Sequence, residues 1–345
     1  MSVRFFRFGN IYSLEHITDM NNMCSRYIIS SFLLTAVLTA ALVVPLVVAQ
    51  DSLQVYLRDG GKAMLNKEFG EAIKNYNNAL RFDSNNVQAL KNLGVSCSSL
   101  GDQKKARIYL ERAYKINSLD PGLNNDLGVL YSGEGNSNEA IKYFEMAVRL
   151  DTNKALYLTN LGQEYFKANR ISLALPVLRR AQELEPDKGV IQYTLGNCFA
   201  ASNSLDSAEF YYERSVANGG KTSQLFYFLG SIERRLGKMD KAEQSFKQAL
   251  VYDTRHRDCL QSLGMLYLSQ QRYPETAEQA RRVIAIDSAD YAGWILLGTA
   301  YTLDDMPERA DSILKRLFAV DSGLGFQMLD FIATESQKKQ GKPKE

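Results

Sequence analysis

The chain has 345 residues, of which 45% are hydrophobic, and this is enough apolar material to bury a large core. The composition therefore excludes a chain that is disordered over most of its length. Lysine and arginine number 41 against 39 aspartates and glutamates, so the formal net charge is only +2. Because nucleic-acid binding needs many positive charges on one surface, we exclude DNA or RNA as the principal partner.

An uncharged run of 22 residues occupies positions 28–49. It follows Arg26, contains Pro45 and ends at Ala49, after which the sequence turns polar. A small residue at that place is typical of signal-peptidase cleavage, and we expect a leader over residues 1–49, with its apolar region at 28–48, to be cut after Ala49. The run is also long enough to cross a bilayer, so a retained membrane anchor is the alternative. Three methionines could start the chain: Met1, Met20 and Met23.

Both interpretations of the leader send the remainder of the chain across a membrane. The expected location is periplasmic or extracellular, or anchored at a membrane by residues 28–48.

After the leader, a glycine returns every 34 residues, and no insertion or deletion breaks this phase from Leu53 to Leu324. Seven of the eight glycines directly follow a leucine, and seven have an alanine twelve residues later. Such a fixed period indicates a repeat protein. The glycines are Gly60, Gly94, Gly128, Gly162, Gly196, Gly230, Gly264 and Gly298. The period delimits eight repeats: 53–86, 87–120, 121–154, 155–188, 189–222, 223–256, 257–290 and 291–324.

Each repeat has the pattern of two helices joined by a turn. In the fourth repeat Leu158, Leu161 and Tyr165 share one helix face, and Ala174 and Leu178 share a face of the next helix. Small residues at the glycine and alanine places allow the two helices to approach closely. We expect turns at Gly101, Gly135, Asn169, Asn203 and Gly237. We expect the second helices to be capped by Asn138, Ser172, Asp206 and Asp240.

The repeat length and its leucine-glycine, aromatic and alanine places resemble the tetratricopeptide repeat family. The third repeat displays the pattern in NDLGVLY at 125–131 and EAIKYFEMA at 139–147, and the resemblance covers eight repeats of 34 residues, 272 in all. It implies an all-α fold, a right-handed superhelical solenoid of helix-turn-helix repeats with a C-terminal capping helix.

The sequence also predicts what lies at the end of the array and where prolines fall. Residues 325–337 form an amphipathic segment with Phe326, Leu329 and Ile332 on one side, which predicts the capping helix, and residues 338–345 are expected to be a disordered tail. Pro176 is expected to kink the second helix of its repeat, whereas prolines at two helix starts are tolerated, namely Pro274 and Pro307.

Catalytic chemistry is scarce in the sequence. His256 is the only histidine after the leader, and its place between repeats predicts an exposed loop residue without a catalytic partner. Cys97 replaces the aromatic residue of other repeats, so we expect it in the core. Cys97, Cys198 and Cys259 lie in distant repeats, so we expect free thiols. We predict a non-enzyme without cofactor, metal or small-molecule substrate.

A second stripe on the first helices, rotated about 100° from the packing face, is not needed for packing. In the resembling family this stripe lines the concave groove of the superhelix, which implies contact with a partner protein or peptide. Its mixture of aromatics, carboxamides and one cation suits an extended peptide or a partner helix. The groove stripe comprises Leu156, Thr159, Gln163 and Phe166 in the fourth repeat, Val190, Tyr193, Asn197 and Ala200 in the fifth, and Gln224, Tyr227, Ser231 and Arg234 in the sixth.

One specialised version of the family clamps a C-terminal carboxylate with lysine, asparagine and arginine on successive first helices. Lys91 matches the lysine, but Val95 stands where its repeat needs asparagine, and Asn197 has Tyr193 beside it instead of lysine. The carboxylate clamp is therefore not assembled. We expect an exported scaffold that binds a protein or peptide, and the alternative is a membrane-anchored structural or assembly component of an envelope complex.

Overall fold

The computed structural model describes residues 50–340, and in this range the fold is all-α, a solenoid of helix hairpins without a β-strand. The predicted leader and residues 341–345 lie outside the described residues. The helices are α1 (50–65), α2 (Phe69–Phe82), α3 (Val87–Ser99), α4 (Gln103–Ile116), α5 (Pro121–Gly133), α6 (Ser137–Leu150), α7 (Ala155–Lys167), α8 (Ile171–Leu184), α9 (Gly189–Ala201), α10 (Leu205–Ala217), α11 (Ser223–Arg235), α12 (Met239–Tyr252), α13 (Arg257–Ser269), α14 (Tyr273–Ile286), α15 (Tyr291–Leu303), α16 (Pro307–Val320) and α17 (Ser322–Gln340).

The helices keep the 34-residue phase of the sequence. From α3 onwards the odd-numbered helices up to α15 begin at the first residue of a repeat, and each is followed by a partner of 13 or 14 residues. The described residues divide into two compact units, one up to residue 130 and one from residue 131, with the boundary inside α5.

A left-handed residue closes the turn inside every repeat. The five turn residues expected from the sequence all have positive φ, between 56° and 83°. Three further residues at the same phase, which the sequence did not reveal as turn residues, adopt the same conformation: Lys67, Gln271 and Asp305. Left-handed geometry is costly for residues other than glycine, asparagine and aspartate, and Lys67 and Gln271 adopt it nonetheless. The turn is therefore imposed by the packing of the two helices.

The expected helix caps lie two residues too late. In the third repeat the cap is Asn136, whose side chain accepts a hydrogen bond from the backbone of Glu139, and Asn138 lies within the first turn. Ser172, Asp206 and Asp240 are likewise inside their helices. In each of these repeats the second helix begins two residues after the left-handed residue, so the residue between them takes the cap position. The prediction for Asn138 and its equivalents was wrong for this reason.

The repeated glycine marks the closest approach of the two helices in a repeat. A Cβ atom at Gly162 would lie 2.5 Å from Cγ of Leu178, and one at Gly196 would lie 2.5 Å from the ring of Tyr212. Real Cβ atoms do not come so close to another atom, so these two glycines leave room for the large residue sixteen places later. At Gly264 and Gly298 the space is taken instead by side chains from beyond the repeat, Leu296 and Met328. This confirms the packing role predicted for the glycines.

In the N-terminal compact unit the core has the same construction. Tyr76 is fully buried beside Gly60, and its hydroxyl receives a hydrogen bond of 3.0 Å from Asn92. Cys97 is 2% exposed, as expected for a core residue. In the C-terminal compact unit, buried leucines of α7, α8 and α9 form one continuous cluster, including Leu161, Leu178 and Leu195.

The last helix differs from the expected capping segment. It begins at Ser322, next to Asp321, whose carboxylate accepts the backbone N–H of Gly323, and it continues through Gln340. Residues 338–340 are thus helical and not part of a disordered tail. The side that packs against α15 and α16 carries Met328, which is 1% exposed.

The amphipathic pattern of α17 was misassigned. Phe326 and Leu329, which were expected to face the array together with Ile332, are 59% and 41% exposed. The interior face instead passes through Gly325 and Met328, with Ile332 half-buried at the edge of the same core.

Prolines fall where expected. Pro274 and Pro307 lie in the first turns of α14 and α16, and Pro176 lies inside α8. Among residues 50–340, no helix combines the length and the hydropathy that crossing a bilayer requires.

Candidate functional site

The groove stripe lies on α7, α9 and α11, and its residues differ in how far they reach the surface. Thr159 is only 5% exposed, and its hydroxyl donates a hydrogen bond of 2.7 Å to the carbonyl of Ala155 in its own helix. Because that hydroxyl is already satisfied and covered, Thr159 offers little to a partner.

The carboxamides of the groove stripe connect neighbouring helices. Gln163 is half-buried, and its side-chain nitrogen lies 3.4 Å from the hydroxyl of Thr194 on α9. Asn197 is also half-buried, and its oxygen accepts a hydrogen bond of 2.8 Å from the hydroxyl of Tyr212 on α10. These contacts hold both side chains in fixed orientations at the edge of the stripe, and both residues remain partly exposed.

Aromatic rings form the largest continuous feature of the stripe. Tyr193 lies 6.1 Å from Tyr212 and 6.3 Å from Phe228 between ring centroids, and Phe228 lies 5.6 Å from Tyr227. Tyr227 in turn lies 5.0 Å from the imidazole of His256. We call Tyr193, Tyr227, Phe228 and His256, all half-buried, the aromatic patch.

The phenols of this region keep their protons. Burial raises the pKa of Tyr193, and a hydrogen bond with Asn197 offsets only part of that rise. Burial raises the pKa of Tyr212 still further, so its hydroxyl remains the donor to Asn197. These groups therefore act as neutral hydrogen-bonding groups.

The remaining residues of the predicted site lie at its margins. Phe166 is half-buried and packs against the core cluster of α7, α8 and α9. Gln224 and Arg234 are exposed at opposite ends of α11. The structure thus brings Tyr193, Asn197 and Tyr227 together, whereas Gln224 and Arg234 flank them.

Two members of the aromatic patch were not identified as site residues from the sequence. Phe228 directly follows Tyr227, and its position two before the repeated glycine was the available signal. His256 is not a plain exposed loop residue, because it caps α13: its Nδ1 accepts the backbone N–H of Cys259 at 3.3 Å. The prediction failed because the ring fills the space beside Tyr227.

The thiols of the described chain offer no nucleophile. Cys97, Cys198 and Cys259 are free and buried, as expected. Burial raises the pKa of Cys198 to about 11 and that of Cys259 to about 12, and it also raises the pKa of Cys97. Since the thiolate is the reactive form, these cysteines are packing residues at neutral pH.

Comparison with family models follows the repeats along the chain. Two tetratricopeptide repeat models match residues 65–122 and 122–188, and the model for the cilia and flagella-associated protein 70 middle TPR-like domain matches residues 181–318. Together the matches run without a gap from residue 65 to residue 318. The chain belongs to the tetratricopeptide repeat family. This places it among protein-interaction scaffolds.

Two curated relatives match a part of the chain. Photosystem I assembly protein Ycf3 of Rippkaea orientalis is 37% identical over 75 residues, which cover 21% of this chain and 43% of the relative. The protein of the same name from Prochlorococcus marinus is 29% identical over 80 residues, covering 22% and 46%. The chain thus matches less than half the length of these relatives.

Among solved structures, the Cut9-Hcn1 hetero-tetramer of APC/C has a TM-score of 0.61 at 17% identity, covering 74% of this chain and 52% of that one. A tetratricopeptide repeat protein from Parabacteroides merdae has a TM-score of 0.54 at 14% identity, covering 72% and 98%. At such identities the likeness shows the fold.

Proposed function

We propose that this chain is an exported scaffold that binds an extended segment of a partner protein along the groove stripe, with the aromatic patch as the principal anchor. The observation that carries the proposal is the position of the patch. Its rings touch one another across α9 and α11, yet all remain partly accessible. Half-buried aromatic residues with polar tips are typical anchors of protein interfaces.

The neighbours of the aromatic patch suit a peptide backbone. Asn197 and Gln163 are partly exposed and are held by hydrogen bonds within the protein. Pre-oriented amides can pair with backbone N–H and carbonyl groups at a lower entropic cost than mobile ones. Exposed Arg234 adds a positive charge at one end, which favours a partner segment with an acidic residue there.

The test is a triple substitution in the groove stripe, Phe166→Ala, Tyr193→Ala and Tyr227→Ala, in the full-length chain. A pull-down from the native source identifies the captured proteins by quantitative mass spectrometry. We expect the triple variant to capture about a tenth of the partner or less, because removing these aromatic side chains weakens the free energy of binding by several times RT.

A matched control removes two exposed aromatic side chains of second helices, Phe210→Ala and Tyr252→Ala, which are 52% and 50% exposed. The control should capture as much partner as the wild type. Undiminished capture by a triple variant with unchanged circular dichroism would contradict the proposal.

We also propose that the chain is exported through its leader. The apolar run at 28–49 and the small residue at its end support cleavage. Mass spectrometry of the mature N-terminus tests this: a start at Gln50 is expected. An intact leader in the membrane fraction would favour the alternative, a membrane-anchored component of an envelope complex. The length of the apolar run, which suffices to cross a bilayer, supports that alternative.

A further inference from the structure

Three glutamates, two from the fifth repeat and one from the sixth, lie close together outside the groove stripe. Glu209 and Glu213 are four residues apart on α10 and so point from one face of that helix, and Glu233 lies near the end of α11. One carboxylate oxygen of each lies within 4.8 Å of the others. Like charges at such spacing repel each other, so the arrangement needs a compensating cation.

Two of these carboxylates are removed from solvent and incompletely paired. Glu209 is 6% exposed and Glu233 is 3% exposed. Oε1 of Glu209 and Oε2 of Glu233 are buried without a hydrogen-bond partner. A buried carboxylate oxygen without a partner is costly, and it is uncommon in folded proteins unless an ion or a water supplies the missing contact.

Two lysines supply part of the compensation. Lys238 lies 2.5 Å from Oε2 of Glu209. Lys241 lies 3.2 Å from Glu213 but 3.7 Å from Oε1 of Glu209, too far for a hydrogen bond. Two positive charges against three negative ones leave one negative charge unbalanced, and because the lysines pair with Glu209 and Glu213, that charge falls on Glu233. Burial raises the pKa of Glu233, and a hydrogen bond with Ser245 offsets only part of that rise.

We propose that Glu209, Glu213 and Glu233 form a binding site for a divalent metal cation, and that Lys241 acts as a built-in competitor that covers the site when the cation is not bound. The donor set consists of carboxylate oxygens, which suits hard cations such as Mn²⁺, Ca²⁺ and Mg²⁺. The side chain of Lys241 is 55% exposed, so it is not confined by packing and its ammonium group is free to be displaced into solvent. The cation would then satisfy the free oxygens of Glu209 and Glu233.

This site does not depend on the groove stripe. It joins α10 of the fifth repeat to α11 of the sixth, so an occupied site would stiffen the junction between these two repeats. Binding to the folded state alone also stabilises that state by mass action.

The test uses Mn²⁺ as the probe and the full-length chain, with free Mn²⁺ measured by electron paramagnetic resonance. We expect one Mn²⁺ per wild-type chain. Glu233→Gln should weaken binding about tenfold or more, because it removes one charged ligand. Lys241→Met should strengthen binding by about tenfold, because it removes the competing ammonium group.

A matched control is Lys247→Met. Lys247 lies on the same helix as Lys241, pairs with Glu243 at 2.7 Å and is similarly exposed at 57%, but it lies outside the three-glutamate cluster. Its removal should leave Mn²⁺ affinity unchanged. Competition by Ca²⁺ or Mg²⁺ then identifies the preferred ion.

Two results would overturn the proposal. One is the absence of saturable Mn²⁺ binding by the folded Lys241→Met variant, in which the competing ammonium group is gone. The other is equal affinity in the wild type and in Glu233→Gln. Circular dichroism of each variant separates loss of the site from loss of the fold, and the Lys241→Met arm remains decisive even if Glu233→Gln does not fold.

Discussion

Replacing the repeated glycine by alanine tests the close helix approach directly. In Gly162→Ala the added methyl would lie 2.5 Å from Cγ and 2.6 Å from Cδ2 of Leu178, a residue that is fully buried. Carbon atoms pack at about 3.5–4.0 Å, so Leu178 or the helix must shift by about 1 Å. Such overpacking costs up to about 3 kcal/mol, whereas alanine gains about 1 kcal/mol of helix propensity. The expected net loss is about 2 kcal/mol.

The control for this experiment is another glycine inside a helix. Gly70 lies in α2, and an added Cβ would meet no atom within 4 Å. Because Gly70 is the second residue of α2 and not in the helix interior, Gly70→Ala should stabilise the chain by up to about 0.5 kcal/mol. Urea unfolding followed by circular dichroism measures both variants against the wild type. If Gly162→Ala is as stable as the wild type or more stable, close packing is not the reason for the glycine.

A double variant separates the clash from other effects of the substitution. Leu178→Ala alone creates a cavity, and Gly162→Ala places a methyl group next to it. We expect the two substitutions together to cost less than the sum of their separate costs. Simple additivity would show that the methyl group added at position 162 and the side chain of Leu178 do not meet.

Three further perturbations follow from the geometry, each measured by urea unfolding. The backbone of Gln271 has a φ of 63°, where a residue with a side chain is strained by about 1–2 kcal/mol. Gln271→Gly should therefore raise the free energy of unfolding by about 0.5–1 kcal/mol, after the entropy cost of glycine is subtracted. An unchanged urea midpoint would contradict this strain. Burial raises the pKa of Asp126 from 3.8 to about 6, so between these pH values the folded chain binds more protons than the unfolded chain. The free energy of unfolding should therefore fall by about 3 kcal/mol as pH rises from 3.8 to 6. Asp126→Asn should abolish this pH dependence. The guanidinium group of Arg272 lies 2.7 Å from the carboxylate of Glu243 and 4.1 Å from the ring centroid of Tyr267. Arg272→Lys keeps the charge but removes the planar guanidinium group and its stacking on the ring, and should lower the free energy of unfolding by about 1 kcal/mol.

The sequence was sufficient for the fold because one period determined several features at once. The positions of glycine, leucine and alanine predicted which helices pair and where they pack. The exact helix starts were not accessible, because the turn at Gln271 uses a residue with no turn preference. Once residue 135 is left-handed, residue 136 becomes the cap, so the polar residue at 138 could not cap the helix. Packing of the helix pair decided these positions, and local preference did not.

The groove stripe shows where the period stops being informative. Thr159, Tyr193 and Tyr227 occupy the same place in three successive repeats, yet Thr159 is covered while the tyrosines are partly exposed. A short side chain lies beneath its neighbours and bonds to its own helix, whereas a tyrosine at that place extends beyond them. A partner should therefore depend on the fifth and sixth repeats more than on the fourth. Thr159→Ala should capture partner at the wild-type level, and Tyr193→Ala alone should reduce capture; the reverse order would place the anchor in the fourth repeat.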